Sequence, residues 1–231
     1  MKTIGLIGGM SWESSTEYYR LINTLVKERL GGFHSAKCVM ISVDFAEIET
    51  LQRENRWAES AQMLIAAAQS LERAGADLVL LCTNTMHKVA DDIQTSMQLP
   101  FLHIADATAE EVKAQGLTTV GLLGTRFTME EDFYVERLRQ RYGLQVLIPN
   151  STEREMIHRV IYDELCLGQI NATSKAQYLA AIDCLITSGA QGIILGCTEI
   201  GLLIQAEDCL VPVFDTTRLH AQAAVDFALR V

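Results

Sequence analysis

With 231 residues, 49% of them apolar and only three prolines, the chain can bury one large core or two small ones, and its composition excludes a disordered polymer. A net charge of −10 without a basic stripe excludes a phosphate backbone, so no nucleic acid is expected as a partner. No stretch reaches the roughly 18 apolar residues of a membrane span, and the apolar N-terminal run is cut by glycines, so no membrane partner and a cytoplasmic location are expected.

In chain order, a strand is predicted over 3–7, ending in Gly8-Gly9-Met10-Ser11, followed by a helix over 17–30 and a strand over 37–43. A helix over 58–74 leads into a strand over 78–81, the loop Cys82-Thr83-Asn84-Thr85, a helix over 84–97 and a strand over 101–104. The second half starts with a strand over 119–123 and the loop Gly124-Thr125. Helices then fall over 128–142, 151–167 and 174–188, and strands over 145–148, 192–195 and 213–214, with a last helix after Pro212. Alternating strands and helices predict an α/β fold with a parallel sheet in each half.

The two halves echo each other. At an offset of 114 (189 − 75), Gly75-Ala76 matches Gly189-Ala190, Leu81 matches Leu195, and Thr83 falls opposite Cys197. At an offset of 116 (121 − 5), Thr3 to Gly8 matches Thr119 to Gly124, and at 112 (211 − 99) Leu99-Pro100-Phe101 more weakly resembles Val211-Pro212-Val213. Similar segments in one order at nearly one spacing predict two related subdomains. The first is expected over 1–98 plus 212–231, the second over 99–211, with the final segment as a strap.

In parallel α/β sheets, ligands gather where strands end and helices begin. Cys197 stands there, after a strand and a glycine and before a helix that Thr198 is placed to cap. A helix N-terminus favours a thiolate and lowers the cysteine pKa, so Cys197 is the one cysteine of six expected to be reactive; the bland alternative is a core residue in a tight turn. Thr83, Asn84 and Thr85 open the other helix, either as caps or as a cradle for a carboxylate. Gly8-Gly9-Met10-Ser11 lacks the dinucleotide-binding glycine spacing. Neither the cysteines nor the five histidines show metal-ligand spacing, so no metal is expected. Each histidine is expected at the surface or in a hydrogen bond, and Asp106 and Asp215 in structural service.

Leu6-Ile7-Gly8-Gly9-Met10-Ser11, Cys82-Thr83-Asn84-Thr85-Met86-His87, Pro100-Phe101-Leu102-His103-Ile104-Ala105-Asp106 and Gly196-Cys197-Thr198-Glu199 occur in an order that resembles the aspartate/glutamate racemase family over nearly the whole chain. The resemblance implies two Rossmann-like subdomains related by a pseudo-twofold with the active site in the cleft between them, a homodimer, and an acidic amino acid as substrate. It also implies racemisation by opposed cysteines, without pyridoxal phosphate or any other cofactor. Inversion by proton transfer needs one group to take the α-proton and another to return one to the opposite face. Here Cys197 fills one place and Thr83 the other, because Cys82 lies one residue too early. Both enantiomers are therefore not expected to be equivalent substrates. Met10, Gln52, Asn84, Thr85, Thr125, Thr198 and Glu199 are implied as substrate-binding, with Arg53 beside Gln52 a weaker candidate. Aspartate-specific members can add a basic residue where this chain has Tyr162-Asp163-Glu164-Leu165. Other carbanion reactions of the superfamily, or a binding protein that has lost turnover, are the alternatives.

Overall fold

The computed structural model describes residues 1–230. It divides into two compact units, Met1–Ile104 together with the stretch from His220, and Ala105–Leu219. In the first unit, β1 (Ile4–Gly8), α1 (Trp12–Leu30), β2 (Cys38–Ser42), α2 (Phe45–Arg53), α3 (Trp57–Arg73) and β3 (Leu78–Leu81) lead through a 3₁₀ turn, Thr85–Val89, to α4 (Ala90–Thr95) and β4 (Phe101–Leu102). α5 (Ile104–Ala114) follows. The second unit continues with β5 (Thr119–Gly124), α6 (Arg126–Glu130), α7 (Asp132–Tyr142), β6 (Gln145–Leu147), α8 (Ser151–Asp163) and α9 (Ala172–Thr187). It closes with β7 (Ile193–Gly196), α10 (Ile200–Leu203), β8 (Val213–Asp215) and the start of α11 (Thr216–Leu229).

The sheets have the same topology: β2-β1-β3-β4 and β6-β5-β7-β8, with every pair parallel. Both subdomains are thus Rossmann-like, with the strand order reversing between their first and third strands. The echo survives at the level of register. Ile7 pairs with Leu81 in one sheet and Leu123 with Leu195 in the other, which are the sequence offsets of 116 and 114. Even the helix exits match: Gly75 and Gly189 have φ of +84° and +104°, and Ala76 and Ala190 donate to Leu71 and Leu185. Positive φ makes glycine the fitting residue at both turns.

Strand residues of the first unit alternate between two cores. Ile4, Leu6, Leu78 and Leu80 pack with α1 and with Ala221, Ala224, Val225 and Ala228 of α11. Ile7, Val79 and Leu81 pack with Leu64, Ala67, Ala68 and Leu71 of α3. A sheet covered on both faces explains why its strands are continuous apolar runs.

The boundaries differ from those drawn at 98/99 and 211/212. β4 pairs with β3 and β8 with β7, so each late strand stays with the sheet it completes, and the crossings fall after Ile104 and before His220. The expected helix over 84–97 is a 3₁₀ turn followed by six α-helical residues, and the one over 128–142 is broken where Glu131 adopts extended angles. Among the described residues no helix is long and apolar enough to cross a membrane.

Gly124 and Gly196 face each other across β5 and β7, directly before Thr125 and Cys197. A Cβ on Gly124 would lie 2.7 Å from the Gly196 carbonyl oxygen and 3.1 Å from Thr128 Cβ. Backbone cannot yield as a flexible side chain can. Gly124→Ala is therefore expected to destabilise the protein by about 1–3 kcal/mol, read as a lower urea midpoint; an unchanged midpoint would contradict the close approach.

Candidate functional site

In the first unit the β1–α1 loop is shaped by contact with the end of β2. Gly9 has φ +97°, and a Cβ there would stand 2.1 Å from the Val43 carbonyl oxygen. Its N–H donates to Ser15 Oγ at 2.8 Å, so the amide is spent within the loop. Ser11 caps α1, accepting from the Ser14 N–H, which starts the helix at residue 12 instead of 17. Met10 packs into the core beside Leu81 and Met86. Gln52 is buried on α2, its Nε2 2.9 Å from Met86 Sδ. Arg53, the next residue, has a side chain 68% exposed, 3.9 Å from Glu49.

Thr83 follows β3 in a tight turn, its N–H donating to the Leu81 carbonyl at 2.9 Å. Thr83, Asn84 and Thr85 are all buried. Asn84 precedes the 3₁₀ turn but makes no capping side-chain bond to it, so the capping alternative is not what places it there. Cys82 points the other way, into the apolar core with Ile4 and Leu6, and burial drives its thiol far above the ordinary range. The one-residue shift does turn this side chain from the loop.

In the second unit Thr125 caps α6, accepting from the Thr128 N–H at 3.3 Å. Cys197 follows β7 and Gly196. Its Sγ–H donates to Glu199 Oε2 at 2.9 Å, and Thr198 Oγ1 donates to the same oxygen at 2.8 Å. Glu199 is only 2% exposed. The expected thiolate is overturned: burial first, then the Glu199 charge, raises the Cys197 thiol well above its usual pKa, opposed by a bond from the Glu199 backbone. The dipole that was to lower it is almost absent, since α10 has four residues, begins after Glu199 and takes no cap from Thr198. Glu199→Gln removes the negative charge that opposes loss of the Cys197 proton to solvent, while the amide oxygen can still accept from the thiol. The Cys197 thiol is then expected to titrate at lower pH, measured by mass spectrometry as the pH dependence of iodoacetamide labelling at Cys197; an equal or higher titration point would contradict this.

Residues 7–224 match the family model described as Asp/Glu/Hydantoin racemase. The chain belongs to that family. A crystal structure of a candidate Asp/Glu racemase from Yersinia pestis is 57% identical, covers 100% of both chains and superposes with a TM-score of 0.93. An aspartate racemase homologue from Pyrococcus horikoshii OT3 is 36% identical over 100% of both chains, with a TM-score of 0.86. The broad specificity amino-acid racemase RacX of Bacillus subtilis is 24% identical over 174 residues, 72% of this chain and 71% of its own.

In this racemase-family chain three histidines far apart in sequence share one buried cluster in the first unit. The His87 ring lies 4.4 Å from that of His103 and 6.0 Å from that of His220. His220 Nε2 bonds the Leu102 carbonyl at 2.8 Å and Nδ1 bonds the Tyr18 hydroxyl at 2.8 Å. Burial lowers its pKa to about 4, so it is neutral at pH 7. These three are interior residues and not surface ones, while His34 is exposed. The only sequence signal was the i, i+4 spacing of Thr83 and His87. Among the described residues no group of three His, Cys, Asp or Glu is placed to hold a metal. Asp106 forms a paired bond to Arg137 at 2.6 and 2.7 Å, and Asp215 accepts from the Thr217 and Arg218 amides at the start of α11. Both serve structure.

Proposed function

We propose that this chain racemises an acidic amino acid, aspartate or glutamate, without a cofactor, with Cys197 as one proton carrier and Thr83 in the place of the other. One observation carries the reading: the register that aligns Ile7·Leu81 with Leu123·Leu195 makes Thr83 the counterpart of Cys197.

Loss of the Cys197 proton to solvent would leave two negative charges side by side, so the proton passes within the pair. Cys197 hands its proton to Glu199 Oε2, and the resulting thiolate takes the substrate's α-proton, so that a C–H bond breaks and an S–H bond forms. The electron pair moves onto the substrate carboxylate. Donors from Asn84, Thr85, Thr125 and Thr198 are assigned to that developing charge, where oriented dipoles stabilise it without reorganising. On the opposite face Thr83, or a water it holds, returns a proton to carbon, and the proton on Glu199 restores neutrality through solvent. Glu199 is thus reassigned from contacting the substrate to sharing a proton with Cys197, since two carboxylates side by side repel. Met10 and Gln52 are assigned to the walls that shape the substrate side chain's space.

Conversion of L- and D-aspartate and of L- and D-glutamate, followed by chiral chromatography with and without added pyridoxal phosphate, tests the reading. Turnover that needs no additive is expected. Silence on all four, with turnover of a hydantoin, maleate or a malonate, would move the chain to another carbanion reaction. The homodimer is also a proposal, and a concavity lined by Trp12, Tyr19, Cys38 and Met40 beside edge strand β2 supports a second copy as occupant. Trp12 is 66% exposed.

A further inference from the structure

We propose that His87 is a positioning residue for Thr83, a latch whose working form is the neutral imidazole with its proton on Nδ1. This rests on the racemase reading for its consequence, but the geometry is independent of it. His87 Nδ1 lies 2.7 Å from the Thr83 carbonyl oxygen, and the Ile104 backbone N–H points at His87 Nε2 from 3.2 Å. A carbonyl only accepts and an amide N–H only donates. Nδ1 therefore carries the proton and Nε2 carries the lone pair. Two contacts, made to different parts of the chain, demand the same tautomer.

The latch completes the restraint on Thr83. Its N–H is held by Leu81 and its carbonyl by His87, so both peptide groups flanking the side chain are tied. The remaining freedom is χ1, which β-branching restricts. His87 is itself anchored to the segment that follows β4, and β4 is paired to β3. On the other side of His103 the Leu102 carbonyl receives His220 Nε2–H, leaving His220 Nδ1 to accept from Tyr18. Two neutral imidazoles thus grip the chain at Leu102 and Ile104, one reaching from α11 and one from the Thr83 loop. A hydroxyl that must meet one face of a carbanion needs such restraint, because misplacement by about 1 Å costs on the order of 10²-fold.

The test compares wild type, His87→Leu and His87→Asn in the full-length protein. Asparagine places an N–H close to the position of Nδ1 and can still donate to Thr83, whereas leucine cannot. In D₂O, deuterium entering aspartate or glutamate with inversion reports the Thr83 face, and deuterium entering with retention reports Cys197 alone. His87→Leu is expected to lower the inversion rate at least about tenfold while retention exchange stays near wild type, and His87→Asn is expected to recover most of the loss. Equal loss of both rates, or an asparagine variant no better than leucine, would overturn the proposal. Long-range ¹H–¹⁵N spectra of wild type supply a readout that does not need turnover. Protonated Nδ1 with unprotonated Nε2 supports the latch even if no substrate exchanges, in which case the racemase reading alone has failed. The opposite tautomer overturns the latch whatever the activity.

Discussion

Cys197→Ser is expected to lower racemisation of aspartate or glutamate by roughly 10²–10⁴-fold, the range lost when a positioned acid or base is removed. A hydroxyl at this position can still donate to Glu199 Oε2, as the thiol does at 2.9 Å, so the loop keeps its bond and binding of the amino acid should persist. What is lost is acidity. A thiol is already pushed upward here by burial and by Glu199, and an alcohol starts several units higher still, so Glu199 no longer suffices to draw its proton away. Chiral chromatography reads the turnover and calorimetry the binding. Normal turnover in the variant would remove Cys197 from the chemistry, and loss of binding together with turnover would make the residue structural.

The second large effect is expected at Thr83. Thr83→Cys supplies a thiol at the counterpart of Cys197, as the shared strand register requires. The cost in packing should be small, since one methyl is removed from a turn whose backbone bonds, from Thr83 N–H to Leu81 and from His87 to the Thr83 carbonyl, do not involve the side chain. A threonine hydroxyl is a poor general base and a weak acid near neutral pH. Because enantiomers interconvert with an equilibrium constant of one, the two kcat/KM values must be equal and the asymmetry is read in α-hydrogen exchange: wild type should exchange the enantiomer whose α-hydrogen meets Cys197 faster, and the variant should bring the two exchange rates closer by at least about tenfold. An unchanged ratio would place the asymmetry elsewhere, in the contacts that hold the substrate.

The repeated fold was legible because its cause is local and doubled. Strands covered on both faces must be apolar along their length, and 78–81 and 119–123 were recognised from that alone, at or within a residue of their ends. The same glycine exits and the same register then recur in both units. α2 was missed because it is a short helix carrying only Ile48, Leu51 and Gln52 inward, too few to establish a period. That omission hid the inward turn of Gln52, which in sequence looks like its exposed neighbour Arg53.

The site was legible as a set of positions and misread as electrostatics. Cys197 stands after a strand and a glycine as expected, yet its charge environment depends on Glu199 curling back two residues onto the sulfur, and nothing in the order Cys-Thr-Glu states that direction. A sequence shows that a helix begins nearby but not that it lasts four residues. The imidazole cluster was out of reach for a different reason. Residues 87, 103 and 220 meet only because β4 completes the first sheet and α11 returns to it.

The most direct test of the account is deuterium incorporation at Cα in D₂O, run separately on the L and D forms of aspartate and glutamate with wild type and with Cys197→Ser. The account predicts exchange in wild type on at least one acidic amino acid, unequal between its enantiomers and lost in the serine variant. No exchange from any of the four by a wild-type protein that still binds one of them would contradict it, and would leave a binding protein built on a racemase fold.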